Sequence, residues 1–203
     1  HTALAIFGCL LGYTSIASEM NSPLLRKLVE KIGYDEGMKV VTNPGVLSPR
    51  DFIEKCINER FPNPAIPDTP QRIACDTSQK IGIRFGETIK AYMESDILKA
   101  KDLVYIPLTI AGWCRYLLGI DDKGNKFSIS PDPLLEILQS KLGKINLGDK
   151  INAHSILKDI LSDSKIFGVN LYDAGIGEKI EKYFLEMISQ RNGVVITLNK
   201  YLK

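Results

Sequence analysis

Apolar side chains in this chain recur at the three-and-four spacing of helices, and few stretches alternate as strand residues do. Residues 3–13 are nearly all apolar and predict a helix buried on every side, with Gly8 and Gly12 allowing a neighbour to come close. That run is shorter than the roughly 20 residues a membrane span needs, and no basic segment precedes it as in a secretion signal. Asn21-Ser22-Pro23 ends this first helical region. Ser22 caps a second helix with the stripe Leu24, Leu25, Leu28, Val29 and Ile32, which Gly33 is expected to stop. Residues 34–41 suit one more short helix before the turn Asn43-Pro44-Gly45, and Ser48-Pro49 opens another carrying Phe52, Ile53, Cys56 and Ile57.

The segment 81–89 reads as a helix containing Gly82 and Gly86. Each glycine costs about 1 kcal/mol against alanine, so each predicts a close backbone approach. Residues 103–119 form a strongly apolar helix with Trp113 and Tyr116, which Pro107 either kinks or starts. Asp122-Lys123-Gly124-Asn125 is a turn, and amphipathic helices follow at 134–142, 153–161, 178–190 and 194–202. The expected fold is mainly α: one multi-helical domain over residues 1–203, with at most a short hairpin.

Between these elements, residues 60–80 stand apart. Pro62, Pro64, Pro67 and Pro70 stiffen the chain and predict an extended connector up to Asp68. Thr69 is the expected N-cap of a helix whose first residue is Pro70. Arg72, Asp76 and Lys80 then follow at four-residue steps, so a helix that runs on places two cations and a carboxylate along one face. Two uses fit that face: a site for a polar ligand, or an exposed salt-bridge ladder worth a few tenths of a kcal/mol per pair. Spacing alone favours the ladder. Arg84 either extends the cationic face or, by the simpler reading, is an exposed helix residue.

Composition narrows the classes. A formal charge of +2 with both signs interspersed, and no basic run, argues against a nucleic-acid partner. Cys9, Cys56, Cys75 and Cys114 are scattered, and only His1 and His154 could add imidazole ligands, so no metal site is expected. Isolated cysteines read as free thiols, which places the chain in the cytoplasm. His154 reads as a surface or capping residue. No Gly-x-Gly-x-x-Gly and no strand–turn–helix unit is present to cradle a pyrophosphate.

The run Arg60-Phe61-Pro62-Asn63-Pro64, then Asp68-Thr69, Arg72 and Lys80, resembles the signature of the C-terminal domain of the polyol-specific long-chain dehydrogenases, the mannitol dehydrogenase family. His1 to Tyr13 resembles the family segment in which a catalytic histidine runs into a Leu/Ala/Gly-rich helix, and the lysine and asparagine that precede that histidine in the family are absent here. Ala111 to Gly124 and Ser130-Pro131-Asp132-Pro133 resemble two further family stretches. The wording from Gln71 to Lys80 is closer to the fructuronate and mannonate branch, although Cys75 and Thr77 depart from the more usual Met and Gly.

That resemblance implies a substrate-binding domain of an oxidoreductase that interconverts a sugar acid or polyol and its ketose. It implies NAD or NADP held by an N-terminal Rossmann domain that is absent from this sequence. His1 would hydrogen-bond the reacting oxygen, while Arg72 and Lys80 would grip remote hydroxyls or a carboxylate. The missing lysine would be the general base. Because the chain opens at His1 rather than methionine, it reads as a processed chain or a fragment, inactive alone, with a docking face around residues 3–13 and 72–80. The alternatives are a stand-alone sugar-acid binding module and a non-catalytic interaction domain.

Overall fold

The structure is a computed structural model that describes all residues, 1–203. Its first helix, α1 (Thr2–Leu11), is the axle of the domain, and every residue from Thr2 to Leu10 is buried. Gly12 ends it in the left-handed conformation (φ 78°), donating back to Cys9 and Gly8. The apolar run thus stops well short of Asn21. Ser15 caps a separate turn, α2 (Ile16–Glu19), before Ser22 and Pro23 open α3 (Pro23–Glu30) as expected. Of the expected docking face, residues 3–10 are unavailable, because the chain covers α1 with its own helices, while Gly12 and Arg72 stay exposed. Those helices are α3, α5 (Pro70–Ile73) and α8 (Tyr105–Tyr116).

Gly33 does not stop α3. The helix widens into a π-helical turn over Lys31–Glu36, and Ile53 packs over Gly33 so closely that a Cβ there would meet it at 3.1 Å. The reward for the continuation is Glu36. Its buried carboxylate accepts the N–H groups of Val104 (2.6 Å), Tyr105 (2.9 Å) and Ile106 (2.8 Å), capping α8 from nearly seventy residues away. Burial moves the Glu36 carboxyl up, and those three donors pull it back down. Pro107 falls in the first turn of α8 and marks its start.

Helix α4 (Pro49–Lys55) is capped by Ser48 and leads into a second π-helical turn, Cys56–Arg60. A third, Gly82–Gly86, joins α6 (Thr77–Ile81) to α7 (Glu87–Glu94). Both of its glycines are contact points: a Cβ on Gly82 would lie 2.6 Å from the Ile166 carbonyl oxygen, and one on Gly86 would overlap the Phe167 carbonyl. The close approach read from the sequence is there.

The remaining helices are α9 (Leu135–Leu142), α10 (Ala153–Leu161), α11 (Ser164–Phe167), α12 (Gly177–Ile188) and α13 (Gly193–Tyr201). Helix α12 lies along α8, with α13 and α10 against it, completing the core around Trp113, Phe167 and Phe184. Asp122, buried in the 121–125 turn, accepts from the Val194 (2.8 Å) and Val195 (3.1 Å) amides at the start of α13. No strand forms. The only β contact is one antiparallel bridge, Ile120 to Lys126. The fold is all-helical, and no helix is long and apolar enough to cross a membrane.

Candidate functional site

The stretch 60–80 is built differently from the two regular pieces its prolines and spacing predict. Asn63 folds the connector into turns, its side chain accepting from Ala65 N–H (2.9 Å) and its carbonyl from Ile66 N–H (3.2 Å), so the segment is not extended. Thr69 caps α5 with Pro70 at its first position, but that helix lasts only to Ile73. At Asp76 the backbone turns left-handed (φ 55°) and its N–H goes to the Pro131 carbonyl at 2.9 Å, so α6 starts afresh. Arg72, Asp76 and Lys80 therefore do not share a helix face, and the ladder Arg72–Asp76–Lys80 does not form.

The two cations find other partners. Arg72 pairs with Asp68, one turn back, and its side chain stays 64% exposed while that of Asp68 is 15% exposed. Lys80 folds onto the Cys75 carbonyl (2.6 Å) at the break between α5 and α6. His1 caps nothing with its side chain. Its ring lies against Phe61, centroids 4.4 Å apart. Asp68, His1, Arg60, Phe61, Ile16 and Ile66 line one small cavity of about 30 Å³, and the Asp68 carbonyl accepts the Ile16 amide (2.9 Å), tying the connector to α2. Two of the three expected residues are thereby joined: His1 directly, and Arg72 through Asp68. Lys80 does not line that cavity.

Glu19 lies just behind this site. It is fully buried, neither carboxylate oxygen has a hydrogen-bond partner, and the absence of a side chain at Gly8 makes its space, with Pro70 on the other side. Burial pushes its carboxyl up to about 9. Arg84 is exposed, as the simpler reading of its helix position has it.

Arg60 and Asp68 belong to this site by geometry, although the sequence assigns them no role. The signal available for Asp68 was its place one residue before a Thr-Pro cap and four before Arg72, which is an ion-pair spacing. Glu19 gave no comparable signal, since its burial depends on Gly8 and Pro70 together.

The largest cavity, about 630 Å³, is an open groove at 118–146 whose charged residues are the exposed Lys126 and Lys144. His154 is at the surface, 2.8 Å from Glu181. All four cysteines are free thiols, and no group of three or more His, Cys, Asp or Glu residues stands close enough to hold a metal ion. Without a strand, the chain offers no βα turn of the kind that cradles a pyrophosphate.

Residues 1–188 match the family described as the mannitol dehydrogenase C-terminal domain, and the chain belongs to that family. The D-mannonate oxidoreductase of Thermotoga maritima is 60% identical over 98% of this chain and 37% of its own length. The mannitol 2-dehydrogenase of Pyricularia oryzae is 30% identical over the whole chain, again 37% of its own length. Among solved structures, Pseudomonas fluorescens mannitol 2-dehydrogenase, in a ternary complex with NAD and D-mannitol, superposes with a TM-score of 0.80 at 25% identity. That match covers the whole chain and 38% of the Pseudomonas chain. The chain thus spans little more than a third of the length of the relatives it matches.

Proposed function

We propose that this chain is the substrate-binding domain of an NAD- or NADP-dependent oxidoreductase that interconverts a sugar acid and its ketose, with D-mannonate and fructuronate as the first pair to test. The observation that carries this reading is the 60% identity to a D-mannonate oxidoreductase across 98% of the chain. The dinucleotide belongs to the part of the protein outside these residues, and the reaction is assigned to the complete, cytoplasmic protein.

Within this domain His1 donates to or accepts from the oxygen on the reacting carbon. Arg72, steered by Asp68, binds the far end of the substrate, and Lys80 adds a second cation once it leaves the Cys75 carbonyl. A guanidinium offers a carboxylate two parallel donors, which suits a sugar acid better than a neutral polyol. Binding energy at the far end is useful because it fixes the position of the reacting carbon.

The test is initial-rate kinetics of the complete protein with D-mannonate and D-mannitol, each with NAD and with NADP. The expected result is a kcat/KM for D-mannonate at least about tenfold above that for D-mannitol, the scale of one charge-assisted contact. A preference for D-mannitol would move the protein to the polyol side of the family. Binding of D-mannonate without turnover would replace the enzyme reading by a sugar-acid binding module.

A further inference from the structure

The segment 41–55 departs from the packing around it. No residue in it is buried, even though it contains α4, and Val46 is 94% exposed with Val41, Phe52 and Leu47 at 51%, 47% and 44%. A seven-residue helix has little stability alone, and four large apolar side chains facing water within one short segment offer a surface for contact. The amides of Val41, Thr42, Val46 and Leu47 donate no hydrogen bond within the chain. The segment is anchored only at its base, where Ile53 packs over Gly33 and Arg50 sits 5.2 Å from the centre of the Tyr34 ring.

Its C-terminal end runs on through Cys56–Arg60 to Phe61, whose ring rests on His1. The helical segment that carries the arm thus ends, six residues past it, against the first residue of the domain. We propose that residues 41–55 form the docking arm for the domain that precedes residue 1 in the complete oxidoreductase, with Val41, Val46, Leu47 and Phe52 covered by it. This rests on the functional reading above.

The choice of occupant follows from connectivity. The family is a C-terminal domain and fills 37% of the Thermotoga relative, so in a protein of that build the larger part of the chain joins at His1, where the helical segment that carries the arm ends at Phe61. A domain tethered there meets the arm at an effective concentration near millimolar, an advantage a second copy lacks. Docking on the arm would also press on Phe61 and so on the position of His1, coupling domain contact to the site.

Hydrogen exchange on the complete protein tests this, read at the amides of 41–47, together with V46E/F52E, sedimentation, dinucleotide titration and steady-state kinetics. In the wild type these amides should exchange at least about tenfold more slowly than unstructured ones, because coverage must replace the protection the arm lacks. In V46E/F52E they should return to the unstructured rate. The variant's kcat/KM should fall about tenfold while its dinucleotide affinity stays unchanged. Unprotected amides in the monomeric wild type would overturn the proposal. Protection that appears only with a dimer in sedimentation would overturn it too, by assigning the arm to a second copy. A protein that turns over no sugar acid or polyol removes the functional reading, yet the exchange rates still decide whether the arm is covered.

Discussion

At the scale of single residues, the pair Asp68 and Arg72 concentrates the functional argument. Arg72 is mostly exposed and Asp68 mostly covered, so the carboxylate is the fixed member and the guanidinium the one that reaches outward. In the complete protein R72A should lower kcat/KM with D-mannonate about ten- to a hundredfold, the cost of a charge-assisted hydrogen bond of roughly 1.5–3 kcal/mol. D68N should raise KM by a smaller factor, since it leaves the cation in place but unguided. A pair whose cation stands in water contributes at most about 1 kcal/mol, so the melting temperature of R72A should barely move. Normal kinetics with a measurable loss of stability would return the pair to the role of a solvated salt bridge. Glu19 makes the opposite kind of claim. Its folded pKa of about 9 lies above the usual carboxylate value of 4.5, so the folded state holds the proton that the unfolded chain loses. Stability therefore falls as pH rises between those values, by about 1.4 kcal/mol per pH unit, and E19Q should remove that dependence. Urea midpoints of wild type and E19Q at pH 5 and pH 8 should diverge, with the variant the more stable at pH 8.

At the scale of elements, what was legible in the sequence is what neighbouring residues decide. Ser22-Pro23, Ser48-Pro49 and Thr69-Pro70 each start the helix they announce, because a cap and a proline at the first position act within one turn. Gly82 and Gly86 announce the contact with Ile166 and Phe167 without naming the partner. The stretches that departed are those where a distant group decides. Pro131 captures the Asp76 amide and breaks a helix that local propensity would continue, and Glu36 gives α3 a reason to run past Gly33. The candidate site was legible in part for the same reason: the motif spacing showed Arg72, but its tether to Asp68 depends on the break after Ile73. Gly86→Ala makes the element-scale test. The added methyl has only the Phe167 carbonyl to displace, so a loss of at least about 1–3 kcal/mol is expected by thermal or denaturant unfolding.

At the scale of the whole molecule, the domain is arranged around a helix that is synthesised before every helix that covers it. Helix α1 shares its faces with α3, α5 and α8, and α8 in turn with α12. Between the last residue of α1 and the first of α8 lie about a hundred residues, which at 5–20 residues per second is roughly 5–20 s of synthesis. For that interval the most apolar segment of the domain is out in the cell without the wall it will rest on. Burial as complete as that of Leu4, Ile6 and Phe7 thus carries a cost during biogenesis, and soluble yield under rapid expression is expected to rise when a holdase is co-expressed, measured against the same chain expressed slowly.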